Sequence, residues 1–316
     1  MSLTRIFFTS DVHGSDVCFI KFLNAAKFYE ANILILGGDL TGKMIVPVIE
    51  RSDGDYDTDF LGRHQTLPRQ AKDDMLKQIR DSGYYPYEMT SSEAEKLRED
   101  KRLVDELFTK VMVDGVKRWT SIAEERLKGT GVECYISPGN DDRFEVDRIL
   151  NESQIIHCPE DDVVWLDKNH EMITSSWTNH TPWHSPRETS EDTLTEMFTR
   201  MTSRVQRPGN CIFNLHVPPY NTPMDLAPEL DATLKPMVKG GGMSMVHVGS
   251  TAVRKLIEKH QPLLGLHGHI HESRGFCEIG RTLCINPGSE YGEGILRGAI
   301  INLDDKKVKS YILTQG

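Results

Sequence analysis

The chain has no C-x-x-C pair, no excess of basic residues and no apolar run long enough to span a bilayer. Its six cysteines stand apart at positions 18, 134, 158, 211, 277 and 284. In a chain of 316 residues that scatter predicts reduced thiols and a cytoplasmic home. Positive charge is scarce: 37 Lys and Arg against 47 Asp and Glu leave a net charge of −10. That balance argues against duplex nucleic acid, whose binding requires many phosphates to be neutralised. A small phosphorylated substrate stays open, because a bound metal reverses the local field. Residues 1–8 lack a basic stretch followed by a long apolar one, so neither a secretory signal nor a membrane partner is expected. No internal repeat or low-complexity tract is visible. What is present is a globular composition, 38% hydrophobic and 27% charged, enough for one large domain or a domain with a sizeable insertion.

Along the chain, apolar runs end repeatedly in polar residues. A predicted strand at 3–9 ends at Ser10-Asp11-Val12-His13-Gly14, and a helix is predicted over 16–30. A buried strand at 33–36 ends at Gly37-Gly38-Asp39. A strand at 132–137 ends at Pro138-Gly139-Asn140-Asp141-Asp142-Arg143, with a helix to about 150. A strand at 211–215 ends at His216. The run Pro262 to Leu266, bounded by Pro and Gly, leads into His267-Gly268-His269-Ile270-His271. His269 and His271 are two apart, which in extended chain puts both on one side. Helices are also predicted over 191–205 and from a Ser250 cap to 260. Residues 223–245 read as a loop, and the tail from 275 onward as antiparallel strands.

The segment 43–129 differs. A β-hairpin around Ser52-Asp53-Gly54-Asp55, a helix over 68–80, an interruption at Tyr84-Tyr85-Pro86-Tyr87 and a long helix over 92–128 are predicted. A single βα connection needs only about 30 residues. The organisation expected is therefore a core of 1–42 and 130–316 with an inserted cap at 43–129. The long helix carries one apolar stripe, enough to dock on the core but not to make a core of its own. Because the cap leaves after Asp39 and rejoins before Asn140, it is predicted to select the substrate. An alternative is a cap that makes a homo-oligomer interface.

Carboxylate, amide and imidazole thus recur at five strand ends, the place where open α/β sheets bind ligands. This mixture suits Mn, Fe or Zn better than Ca. The blocks Asp11-Val12-His13, Gly38-Asp39, Gly139-Asn140-Asp141-Asp142, His216 and Gly268-His269-Ile270-His271, in that order, closely resemble the calcineurin-like metallophosphoesterase superfamily. Asn286-Pro287-Gly288-Ser289 looks like its prokaryotic phosphoesterase branch. The resemblance implies an α/β fold, two β-sheets in a sandwich flanked by helices in four αββα layers. It assigns Asp11, His13 and His271 to one metal, and Asn140, His216 and His269 to another, with Asp39 bridging. It implies a hydrolase of phosphodiesters or phosphomonoesters using two divalent transition metals, Mn favoured, and hydroxide made from bridging water.

The sequence departs from the family at Asp141, where many members carry His to protonate the leaving group. A carboxyl with a pKa near 3.9 beside two dications is a poor general acid. Arg143, His267 and His184 are candidates to fill the gap. His64, His170, His247 and His260 are read as structural. The competing functions are a catalytically weak scaffold of the same fold, as the superfamily's retromer subunit illustrates, and a nuclease.

Overall fold

The computed structural model describes residues 3–316. Two six-stranded sheets lie face to face. The first runs, edge to edge, Val308–Gln315, Arg297–Leu303, Thr4–Thr9, Ile33–Gly37, Glu133–Ser137 and Ile156–His157. The second runs Gly275–Ile279, Thr282–Asn286, Leu264–Leu266, Ile212–Leu215, Glu171–Ser175 and Val163–Trp165. Thr4–Thr9, Ile33–Gly37 and Glu133–Ser137 are mutually parallel, with Phe8 opposite Ile35 and Ile35 opposite Tyr135. Glu171–Ser175, Ile212–Leu215 and Leu264–Leu266 are parallel in the second sheet. Thr282–Asn286 pairs antiparallel with Gly275–Ile279 but parallel with Leu264–Leu266, so the tail is not wholly antiparallel as expected.

Side-chain alternation builds the layers. Ile6, Phe8, Ile33 and Ile35 enter an apolar cluster with Met172, Ile212 and Leu264 between the sheets. Phe7, Leu34 and Leu36 point the other way, into a cluster with helices α1 (Asp16–Phe28) and α4 (Lys101–Leu127). A third cluster joins Ile173, Phe213 and Leu215 to helices α6 (Glu191–Thr202) and α7 (Thr251–His260). The result is the four-layer αββα sandwich. Strands buried on both faces need near-continuous apolar runs, which is how Ile33-Leu34-Ile35-Leu36 reads. Ser15 caps α1, and Ser250 caps α7 by accepting from the Val253 N–H. Among the described residues, no helix is long and apolar enough to cross a membrane.

Between Asp39 and Asn140 the chain is richer than its pattern indicates. Ile45–Glu50 and Tyr56–Phe60 form the expected hairpin. Two strands were not anticipated: Arg63–Leu67 pairs with Tyr56–Phe60, and Tyr85–Thr90 pairs parallel with Ile45–Glu50. Pro86 is tolerated because Tyr85–Thr90 is an edge strand. With helix α2 (Lys72–Asp81), this sheet encloses a small core of its own around Val46, Val48, Phe60 and Ile79. The predicted long helix is two, α3 (Ser91–Glu99) and α4, separated at Asp100, whose extended backbone and carboxylate cap α4. The stripe Met112, Val116 and Trp119 is buried in the main cluster, where Trp119 stacks on Phe19 at 4.3 Å between centroids.

The segment 223–245 is not a plain loop either. Leu226–Pro228 pairs antiparallel with Met245–His247, and a shorter ribbon forms at its tip. Its strands are too short and too exposed to show a periodicity.

Candidate metal centre

The five polar strand ends meet in one place because the parallel registers align the strand C-termini and the two sheets face each other. The Asp11 N–H donates to the Gly38 carbonyl at 2.9 Å, and the His13 N–H to the Asp39 carbonyl at 3.0 Å. Gly268 donates to the His216 carbonyl at 2.9 Å, locking the two histidine loops together. These links hold Asp11, His13, Asp39 and His269 at φ of 56°, 38°, 49° and 67°, a region that residues with a Cβ rarely adopt. Such strain clusters at functional sites. Two glycines are obligatory here. A Cβ on Gly38 would collide with the His216 ring, and one on Gly268 with Ser10 Oγ and the Asp11 carboxylate.

Asp11, His13, Asp39 and His271 each offer a donor atom within 4.8 Å of the others, and so do Asp39, His216 and His269. Asp39 belongs to both groups. His13 Nε2 lies 3.6 Å from Asp39 Oδ2, and His216 Nε2 lies 3.4 Å from Asp39 Oδ1. His271 Nε2 is 3.5 Å from Asp11 Oδ1. Asn140 is buried beside them, its amide donating to Asp141 Oδ1 at 3.1 Å. Among these residues three buried atoms lack any hydrogen-bond partner: His13 Nδ1, His216 Nε2 and Asn140 Oδ1. An unpaired buried polar atom costs about 1–3 kcal/mol. His216 Nδ1–H donates to the Gly37 carbonyl at 3.0 Å, which turns Nε2 toward the Asp39 and Asp11 carboxylates. The donor set fits divalent cations, and His216 Nε2 and Asn140 Oδ1 lie buried beside it with no hydrogen-bond partner.

The charges are set by burial and by each other. Burial pushes the Asp39 carboxyl up to about 6, with the neighbouring carboxylates adding and His216 opposing. Burial also pushes Asp11 up, but the hydrogen bond from His271 and the surrounding imidazoles hold it well below the usual carboxylate range. His216 rises to about 10: burial lowers it, and Asp39 and Asp11 outweigh burial. Burial drives His269 down to about 3.

The candidate acids behave differently from one another. Asp141 borders the cleft, with Oδ2 2.8 Å from Lys43 Nζ and Oδ1 accepting from Ser185 Oγ at 2.7 Å. Burial raises its carboxyl, but Lys43 overcomes this and keeps it well below the usual range. Arg143 also borders the cleft, yet its guanidinium is committed to α4, donating to Asp105 at 2.6 Å and Thr109 at 2.7 Å and lying 4.9 Å over the Phe108 ring. His267 does not border the cleft. It is fully buried, Nδ1–H donates to the Leu215 carbonyl at 2.8 Å, and burial depresses it to about 4. The cation beside Asp141 is therefore Lys43, which the sequence reading missed; its signal was a lone lysine four positions after Asp39. His184 and His180 stand on the rim. His170 is tied to Asp167 and His247 to Asp225, each at 2.7 Å.

Supporting residues fix the loops. The buried Asp142 carboxylate accepts from the Leu40, Thr41 and Gly139 N–H groups, joining the loops that carry Asp39 and Asn140. The buried Arg187 pairs with Asp147 at 2.5 Å and donates to the Asp142 carbonyl. In the Asn286-Pro287-Gly288-Ser289 block, Asn286 donates to the Gly268 and Ile270 carbonyls, and Ser289 Oγ to the Asp11 carbonyl. The cleft above the cluster has a volume of about 1030 Å³. From the segment 43–129 only Lys43 and Phe108 line it; most of its wall comes from the loop 180–186 and the ribbon 227–248.

No family model matches the chain. An uncharacterized protein of Methanocaldococcus jannaschii, MJ1162, is 32% identical over 158 residues, which is 49% of this chain and 64% of that protein. The chain thus matches a little under two thirds of that relative's length. Among solved structures, TT1561 of Thermus thermophilus has a TM-score of 0.52 at 15% identity, covering 100% of this chain and 99% of the other. YfcE, a phosphoesterase from E. coli, gives 0.33 at 12% identity over 98% of each chain, a likeness too loose to transfer a role.

Proposed function

We propose, since this chain has the fold of the calcineurin-like metallophosphoesterases, that it hydrolyses phosphoric esters at two divalent metal ions sharing Asp39. The observation that carries this reading is the pair of donor groups meeting at Asp39, with His216 Nε2 and Asn140 Oδ1 buried and unpartnered beside them. Asp11, His13 and His271 would hold one ion, and Asn140, His216 and His269 the other. Every donor position is filled by a competent residue type, which supports an enzyme over a scaffold. Bound there, divalent ions supply charge to a phosphoryl oxygen and lower the pKa of water.

The chain's own residues do the rest. Lys43, raised above the ordinary lysine range by Asp141 and Asp39 in spite of burial, stays protonated and donates to a phosphoryl oxygen. Asp141 and Ser185 position it. Since Asp141 stays ionised and Lys43 protonated, neither readily gives a proton to the leaving group. We favour Mn among Mn, Fe and Zn on the mixed donor set. Six free cysteines support a reducing, cytoplasmic setting. The division into a core of 1–42 and 130–316 and a cap at 43–129 is supported by the separate small core of the inserted sheet. The burial of α4 and Tyr85 in the main cluster ties the cap to the core.

The experiment is a screen of purified protein, with Mn²⁺, Zn²⁺, Fe²⁺ or EDTA, against bis(p-nitrophenyl) phosphate, p-nitrophenyl phosphate, alkyl phosphates and single-stranded DNA. Metal-dependent release of p-nitrophenol is expected. Equal rates with metal and with EDTA would overturn the reading, and metal-dependent cleavage of DNA alone would make the enzyme a nuclease.

A further inference from the structure

The cleft is far larger than a phosphoryl group needs. Its volume of about 1030 Å³ lies at the upper end of what small-molecule sites use. One wall presents Pro182, Trp183 and Pro186, the other Leu230, Leu234 and Pro236. Trp183 is 65% exposed and Leu234 47% exposed, so large apolar surface stands open to the cleft. These walls are built. The Glu188 carboxylate accepts from the Thr181 and Ser185 N–H groups at 2.8 and 2.9 Å, pinning the first wall. Asp225, buried, accepts from the Asn221 and Gly249 N–H groups and from His247, pinning the base of the second. Asn179 Nδ2 donates to the Val248 carbonyl at 3.1 Å and ties the two walls together.

Charge around the cleft is one-sided. Lys43 and Arg143 are the lysine and arginine that line it, and both sit at the metal end. Arg143 is held by Asp105, and Glu229 on the ribbon is paired with Lys239 at 2.6 Å. A polynucleotide, or a second phosphate further out, would find no unpaired lysine or arginine among the residues that line the walls.

We infer that the physiological ester carries one phosphoryl group at the metal end and a bulky apolar alkyl or aryl group seated between the loop 180–186 and the ribbon 226–247. This rests on the phosphoesterase reading above. The test is isothermal titration of the Mn²⁺-loaded full chain with methyl-, hexyl- and decylphosphonate and with a non-hydrolysable adenosine 5′-phosphonate. Each CH₂ buried contributes up to about fourfold in affinity, so decylphosphonate should bind at least about 100-fold tighter than methylphosphonate. Trp183→Ala and Leu234→Ser, both at exposed positions, should each cut the decyl-to-methyl affinity ratio by about tenfold. Equal binding of the methyl and decyl compounds would overturn the inference and leave the phosphoesterase reading standing. Tighter binding of the adenosine compound than of the decyl one would replace the apolar group with a nucleoside. Failure of every phosphonate to bind the loaded protein would sink the phosphoesterase reading itself, and this inference with it.

Discussion

The floor and the walls of the cleft are made by opposite means. The floor is a set of buried side chains delivered by strand ends, held at left-handed backbone angles and touching one another. The walls are loops and a short ribbon that expose Trp183 and Leu234. In the floor each residue fixes its neighbours' charge and orientation, so a change there spreads. In the walls a side chain answers mainly to what it packs against in the cleft. The difference separates what the site does from what it selects.

The sharpest way to probe this contrast is at the residue both donor groups share. Asp39→Asn should remove detectable phosphoesterase activity. Its loss of metal should exceed the roughly 10–100-fold typical of changes one shell further out. Elemental analysis beside the activity assay checks both. Retained activity would mean that the floor is not organised around Asp39.

The floor also lacks a ready proton donor, so rates should fall steeply as the leaving group becomes more basic. General acid catalysis contributes about 10²–10⁴-fold, and aryl esters should exceed alkyl esters by a margin of that order. A flat dependence, with chemistry rate-limiting, would reveal an acid elsewhere; His184 on the rim would be the first to substitute.

Lys43 sits where floor meets cleft. Lys43→Met should lower kcat by about 10²–10³-fold, as loss of a charge-stabilising donor does, while metal content is kept. Lys43→Arg should restore part of the rate. Loss of metal in Lys43→Met would make the lysine structural.

The smallest step expected is in pH dependence, taken per unit of pH. In the metal-free floor His216 is raised to about 10 and Asp39 to about 6. Both must be deprotonated to bind a cation. Metal affinity should therefore rise with pH by at least about tenfold per unit between pH 6 and 9, as the His216 proton and, at the lower end, that of His271 are displaced. It should fall more steeply below about 6, where Asp39 also takes up a proton. Affinity independent of pH across that range would place the ions elsewhere.

Much of the floor was legible because its polar residues close apolar runs, with a glycine directly before Asp39, Asn140 and His269. Phe8-Thr9-Ser10-Asp11 and Leu36-Gly37-Gly38-Asp39 announce a strand and its end. Lys43 was not legible, because its role is created by Asp141, which is remote in sequence and adjacent only after the two loops are clamped by Asp142. His267 misled because it neighbours real candidates, while its ring turns back to the Leu215 carbonyl. The strand Tyr85–Thr90 hid behind Pro86, and the ribbon Leu226–Pro228 with Met245–His247 behind its short, exposed strands. Sheets buried on both faces write themselves into sequence as apolar runs; walls that face a cleft do not.

On the function proposed, Asp39 joins two metal ions into one centre. Metal stoichiometry by elemental analysis of the protein reconstituted to full activity on bis(p-nitrophenyl) phosphate measures this directly. About two ions per chain are expected in the wild type and at most one in Asp39→Asn. Full activity in the wild type at one ion per chain or fewer would contradict it.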